Sequence, residues 1–300
     1  MNILKTRVGV LELERPGMVA SGIMDETGGS MVRMLRLGAG AVVTKSIGSV
    51  KRNGHSNPTF IEFPFGCMNA MGLPNPGIDE FEKEMDEAVK EGTIIGSVFA
   101  SSSKEFAELA GKMEIYGASA VELNLSCPHA EGYGMEMGTD VNIVHKIVSS
   151  VKDAVKIPVH AKLTPNTHIL TQIGKAVQDA GGDAVVAINT LRAMSISPEF
   201  AKPVLSNRFG GLSGPAVRPV GVRAVYDLRA ALDIPVVGVG GISDHKDALE
   251  YIMAGASAFQ VGSAIGRDIN VFDKINNGLE SFMREFGYSS IEKMVGVAHE

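Results

Sequence analysis

Short unbroken apolar runs alternate along this chain with stretches whose apolar residues recur every three or four positions. The runs are MVASG (18–22), AVVTKSI (41–47), TIIGSVFA (93–100), AVELNLSCP (120–128), VHAKLTP (159–165), AVVAINT (184–190), PVVGVGGI (235–242) and AFQVGSAI (258–265). Each is rich in Val, Ile and Ala and closes on small or polar residues, as strands buried in a parallel sheet do. Helical patterns separate them. In DEFEKEMDEAVKEG (79–92) acids come first, Phe81, Met85 and Val89 follow at a spacing of four, and a glycine stops the run. SSKEFAELAGKMEIYGA, VNIVHKIVSSVKDAV, ILTQIGKAVQDAGG, PVGVRAVYDLRAAL and DHKDALEYIMAGA repeat the pattern, with Asp244 reading as an N-cap.

Strand–helix alternation repeated eight times predicts an α/β fold closed as a (β/α)8 TIM barrel, formed by residues 1–300 as one domain. A doubly wound open sheet is the rival. The segment at roughly 4–16, within LKTRVGVLELERPG, predicts a β-hairpin closing the barrel floor. Residues 48–78, rich in Gly, Pro and Asn, read as a long βα loop, and barrel enzymes keep their chemistry on such loops.

Charge narrows the classes. With 28 Lys+Arg against 34 Asp+Glu the net charge is −6, which argues against a nucleic-acid binder. No apolar run reaches the length of a membrane span, and the N-terminus lacks a signal-peptide core, so a cytoplasmic protein is expected. The two cysteines, Cys67 and Cys127, do not form a CxxC pair. They exclude a disulfide framework or a Cys-ligated cluster built by this chain, and no metal site is read. Glycine is abundant at 35 of 300 residues, above the typical 7% or so, which implies many tight turns or close backbone approaches.

The chemistry should sit at the strand C-terminal ends. Lys45 and Lys162 each interrupt an apolar strand, and a buried lysine needs an anion or must lose its proton. A structural ion pair with a barrel carboxylate such as Glu122 is the alternative for either. Cys127 ends the fourth run, beside the Gly-rich stretch 129–138, where a base or nucleophile under a lid would sit. Cys67, in the 48–78 loop, is expected to be equally exposed. Gly238, Gly240 and Gly241, then Gly262 and Ser263, close the last two strands. Their backbone, with the helix N-termini that follow, suits a phosphate; tight barrel turns are the alternative. Asn69, Asn124 and Asn189 add amides that match a planar polar ring. A phosphate site beside a lysine suits flavin mononucleotide, FMN. A Schiff-base aldolase using Lys162 or Lys45 fits a phosphate-binding barrel as well.

Taken together, MVASG, TKS (44–46), NAMGLPN (69–75), NLSCP (124–128), AKLTPN (161–166), INT (188–190), GGLSGPAVRPV (210–220), GVGGI (238–242) and VGSA (261–264) resemble the dihydroorotate dehydrogenases over nearly the whole chain. The resemblance is to the soluble, cysteine-dependent class 1. It implies oxidation of dihydroorotate to orotate in pyrimidine synthesis. Cys127 would be the base, and Lys45 would bridge flavin and substrate. Asn69, Ala70, Met71, Gly72, Leu73, Asn124, Asn189 and Thr190 would hold the substrate. Ala20, Ser21, Gly22, Lys45, Ser46, Asn124 and Ile188 would line the FMN, and Lys162 would face its pyrimidine edge. Gly214, Gly240, Gly241, Gly262 and Ser263 would hold its phosphate side.

The chain departs from the family pattern at His129, where Asn usually follows Cys-Pro, and at Ser97, where many relatives carry Asn. SCPH and KLTPN also resemble the flavin domain of dihydropyrimidine dehydrogenase, which reduces uracil and thymine. GGLSGPAVRPV and INTLRAMSI look most like the NAD-linked type B catalytic subunit. That type pairs with a subunit bearing FAD and a [2Fe–2S] cluster. A heterotetramer, or a homodimer using fumarate, is accordingly expected.

Overall fold

The computed structural model describes residues 2–125 and 137–299. Cys127, His129 and most of the 129–138 stretch lie outside the described residues.

In chain order the strands are β1 Thr6–Val8, β2 Leu11–Leu13, β3 Gly17–Val19, β4 Ala41–Val43, β5 Phe60–Phe63, β6 Gly66–Asn69, β7 Ile94–Val98, β8 Ala120–Asn124, β9 Val159–Leu163, β10 Ala184–Ala187, β11 Leu191–Met194, β12 Ile196–Ser197, β13 Lys202–Pro203, β14 Phe209–Ser213, β15 Val236–Val239 and β16 Ala256–Val261. The helices are α1 Gly28–Arg36, α2 Ile78–Ala88, α3 Ser103–Ile115, α4 Val141–Ala154, α5 Leu170–Asp179, α6 Arg218–Ala231, α7 His245–Ala254 and α8 Val271–Phe286.

Eight strands close into a parallel barrel in the order β3–β4–β7–β8–β9–β10–β15–β16, returning to β3. This is the (β/α)8 arrangement, and its strands are the eight apolar runs. Closure follows from their two-sided burial: every residue of β4, β7, β9, β10 and β15 is buried. One face packs inward and the other packs on the helices, so neither can be left to water. Outward residues such as Val121, Val159 and Val236 join the apolar faces of the helices in one large core.

Inward residues form a second core of Met18, Ala20, Ala41, Val43, Ile95, Ala120, Ala184, Val186, Val237, Val239 and Ala258. Val8, Leu11 and Leu13 of the β1–β2 hairpin belong to the same cluster. The hairpin therefore fills the barrel floor with its own apolar face. Thr6 ties it down by donating its hydroxyl to the Ser257 carbonyl at 2.8 Å.

The 48–78 segment differs from a plain loop. Its β5 and β6 form a four-stranded antiparallel sheet with β14 and β11, in the order β11–β14–β6–β5. The pairing Gly211↔Asn69 brings together segments far apart in the chain. Cys67 is correspondingly buried on β6, with its Sγ 3.2 Å from Ser213 Oγ, rather than exposed on a loop. Asp244 caps α7 as expected, accepting from the Lys246 and Asp247 amides at 2.8 and 3.0 Å.

Candidate active site

A cleft of roughly 940 Å³ opens at the C-terminal ends of the barrel strands, roofed by the antiparallel sheet. Seven of the eight barrel strands contribute. Ala20, Ser21 and Gly22 follow β3, Lys45 and Ser46 follow β4, and Asn124 ends β8. Lys162 points inward from β9, and Ile188, Asn189 and Thr190 follow β10. Gly240 and Gly241 follow β15, and Gly262 and Ser263 follow β16. From the roof come Asn69, with Ala70, Met71, Gly72 and Leu73 after it, and Gly214. Every described residue expected to bind flavin or substrate thus borders one cavity.

The floor of the cleft is a polar network. Ser46 Oγ lies 3.2 Å from Ser21 Oγ and 2.9 Å from Ser97 Oγ, and it accepts from Asn124 Nδ2 at 3.1 Å. One hydroxyl thereby joins the ends of β3, β4, β7 and β8. Ser97 is fully buried on β7.

The two lysines have separate anionic partners. Lys45 Nζ is 3.1 Å from Glu26 Oε1, and Lys162 Nζ is 3.5 Å from Glu122 Oε1. The barrel-carboxylate pairing thus holds for Lys162, while Lys45 turns to the loop after β3. Lys162 also donates to Gln260 Oε1 at 3.1 Å, and Gln260 Nε2 donates to Glu122 Oε2 at 2.6 Å. His160 sits beside Glu122 across the β8–β9 register, and burial pushes its pKa down. Beneath Gly22 lies Asp25, fully buried. Burial raises its carboxyl to about 7, against the pull of the Gly22 amide that it accepts from and of the nearby Lys45.

The glycines divide into two groups. Gly214, Gly240 and Gly241 have φ of +93°, +131° and +71°, values that L side chains rarely adopt, and a Cβ on Gly241 would lie 2.6 Å from the Gly214 carbonyl. They line the cleft with bare backbone, and the sides where a Cβ would stand are closed by Gly66, by Tyr251 and Val217, and by Gly214 itself. Gly238 corrects the sequence reading. It faces outward, where a Cβ would strike the ring of Tyr251, so it serves helix packing. The α7 N-terminus likewise is filled by the Asp244 carboxylate, which leaves the glycine backbone to face the cleft.

Sequence reasoning missed several residues at the cleft, among them Arg52, His55, Asn166 and Arg192. His55 pins the 70–73 turn: its backbone amide donates to the Met71 carbonyl at 2.9 Å and its ring Nδ1 lies 3.1 Å from the Ala70 carbonyl. Asn166 spans Thr164, Thr190 and the Arg192 amide. It stood within the quoted AKLTPN string, which was the available signal. Among the described residues no metal-ligating cluster is present, and no helix is long and apolar enough to cross a membrane.

Comparison with known proteins agrees with this geometry. The family model described as dihydroorotate dehydrogenase matches residues 3–283. A protein from Thermococcus kodakarensis is 50% identical over 303 residues, covering 100% of each chain. One from Methanosarcina acetivorans is 50% identical over 293 residues, 97% of this chain and 94% of its own. One from Methanocaldococcus jannaschii is 48% identical over 304 residues, 99% of each. All three are named dihydroorotate dehydrogenase B (NAD(+)), catalytic subunit. With a closed eight-stranded barrel, a match from residue 3 to 283 and relatives at about half identity along the full chain, this protein belongs to the dihydroorotate dehydrogenase family.

Proposed function

We propose that this chain is the catalytic subunit of a dihydroorotate dehydrogenase that oxidises dihydroorotate to orotate in pyrimidine synthesis. The observation that carries the reading is the convergence of every described residue expected to bind flavin or substrate on one cleft, in a chain half identical to relatives bearing that name.

The residues present fit FMN. The Gly214, Gly240, Gly241, Gly262 and Ser263 backbone would take the phosphate side. Ala20, Ser21, Gly22, Ser46, Asn124 and Ile188 would flank the ring system, and Lys162 would face its pyrimidine edge. When bound, FMN supplies the acceptor for the hydride that leaves one ring carbon of dihydroorotate. Cys127 takes the proton from the adjacent carbon, and the C=C bond of orotate forms between them. A lowered thiol pKa would raise the fraction of thiolate available for this. Asn69, Asn124 and Asn189, with Thr190 and the 70–73 turn, orient the ring through its carbonyl and N–H groups. Lys45 supplies a cation where flavin and substrate meet.

Electrons then leave through a partner. The relatives' name specifies NAD(+) and a catalytic subunit, and the reading extends to a second subunit carrying FAD and a [2Fe–2S] cluster in a cytoplasmic heterotetramer. An aldolase is less well supported, because both lysines are engaged by carboxylates and a Schiff-base lysine needs a free amine.

The test is the visible spectrum of the purified protein before and after anaerobic addition of dihydroorotate. A flavin band that bleaches is the expected result. A band that bleaches only on reduction with a dihydropyrimidine lacking the carboxylate would move the substrate to uracil-type rings. No flavin after reconstitution with FMN would overturn the reading.

A further inference from the structure

Below the cleft three inward side chains from three strands close a triangle. Lys162 of β9 donates to Gln260 of β16 at 3.1 Å, Gln260 donates to Glu122 of β8 at 2.6 Å, and the free Glu122 Oε1 lies 3.5 Å from Lys162 Nζ. Glu122 is 0% exposed, Gln260 1% and Lys162 6%. Among the described residues Glu122 Oε1 has no hydrogen bond; it faces the Lys162 ammonium, with His160 beside it on β9. Gln260 is a spacer of fixed polarity: its carbonyl must meet the ammonium because its amide is committed to the carboxylate.

A buried carboxylate costs several kcal/mol of desolvation, and a buried ion pair is weak grounds for stability. Apolar side chains fill the layer beneath, at Ala120, Ala184, Val186, Val237 and Ala258, so the barrel had an apolar alternative at this level. The triangle does something else. It sets the position and the net charge of Lys162, the buried cation at the pyrimidine edge of the flavin. With Glu122 ionised, the pair is neutral overall, and the ammonium presents only a dipole towards the cleft. Adding electrons to a flavin builds negative charge on its pyrimidine edge, so a bare cation there would favour the reduced form far more than a compensated one.

We propose that Glu122, held by Gln260, is a positioning residue that damps the charge of Lys162 and so sets how readily the bound flavin is reduced. The inference rests on the reading that Lys162 faces the flavin. It makes the damping adjustable from β8, without any change to residues that touch flavin or substrate.

The experiment is dye-coupled redox titration of the FMN-loaded protein, with FMN affinity and thermal unfolding measured alongside. Glu122→Gln keeps the shape and removes the negative charge. At a fixed dye potential it should raise the ratio of reduced to oxidised flavin about tenfold, since a unit charge at this range in a protein interior is worth that order. Lys162→Met should move the ratio about tenfold the other way. Glu122→Met removes the same negative charge without a buried amide, should shift the ratio towards reduced flavin as well, and serves if Glu122→Gln does not fold. A change in unfolding temperature with no change in the ratio for either Glu122 variant, while Lys162→Met does shift it, overturns the inference and leaves the flavin reading standing. No shift with Lys162→Met overturns the placement of Lys162 at the flavin, and the inference with it.

Discussion

Lys45 and Glu26 form an ion pair in which one partner is shielded and the other is not. Their charged atoms are 3.1 Å apart, the lysine side chain is 9% exposed and the glutamate side chain 64%. The half-wet carboxylate occupies the cation proposed to meet the substrate. An anionic substrate would have to share that ammonium with Glu26. Exposed pairs of this kind are worth about 0.2–1 kcal/mol. Glu26→Gln should therefore tighten orotate binding by about threefold at low salt, with less gain at high salt. Calorimetric titration of the FMN-loaded protein decides it, and weaker binding would place Glu26 among the groups that help the substrate.

Asp25 gives a pH dependence with a definite sign. Burial raises its folded-state carboxyl to about 7 from the ordinary 3.8, so between those values the folded chain holds a proton that the unfolded chain has released. Stability from this group is fully present below about pH 4, declines as pH rises, and is gone above about pH 7. The size is on the order of a few kcal/mol. Asp25→Asn should thus lose less stability than the parent between about pH 4 and pH 7, measured by urea unfolding at each pH. Parallel curves for the two proteins would remove Asp25 as the cause.

At the opposite wall, Gly241 has φ of +71° and its missing Cβ would stand 2.6 Å from the Gly214 carbonyl. Gly241→Ala therefore forces both backbone strain and a shift of the neighbouring turn, a cost of about 1–3 kcal/mol. FMN affinity should fall tenfold or more while affinity for riboflavin, which lacks the phosphate, changes less. Fluorescence titration with both ligands separates a phosphate-wall effect from a general loss of structure.

The two cysteines should respond unequally. Cys67 is 7% exposed on β6 with its thiol against Ser213, so Cys67→Ala is expected to keep turnover within a few-fold. Cys127→Ala should lower kcat by about 10²–10⁴, the usual contribution of a positioned base, with flavin still bound. Comparable turnover in the two variants under anaerobic stopped-flow mixing would remove Cys127 from the base role.

Much of this was legible because the barrel strands are buried on both faces. That produces continuous apolar runs whose ends mark the cleft directly, and all eight runs became barrel strands. Two helices passed unread for different reasons. The α1 sequence GGSMVRMLR opens on two glycines that hide its period. By contrast α8 carries Val271, Ile275, Leu279 and Met283 at a clear spacing of four, a signal present but not used. The roof sheet was harder. Its pairing of β6 with β14 joins residues well over a hundred positions apart, and strands of four or five residues with mixed exposure leave no periodic trace. For the same reason Cys67 read as a loop thiol. The partner choice of Lys45 was invisible too, because Glu26 reaches it from a turn whose course depends on the buried Asp25.

Tyr251, wholly buried on α7, fits into hollows left by Gly221 and Gly238 and donates its hydroxyl to the Gly240 carbonyl at 2.7 Å. One ring is thus shaped by glycines from a helix and a strand, and it anchors the turn that opens onto the cleft. Enlarging either glycine collides with the ring, and shrinking the ring leaves a void between two glycines that cannot fill it. Single steps away from this arrangement are therefore costly in either direction. A lineage could leave it only by changing tyrosine and glycine together, so these positions should be inherited as a block.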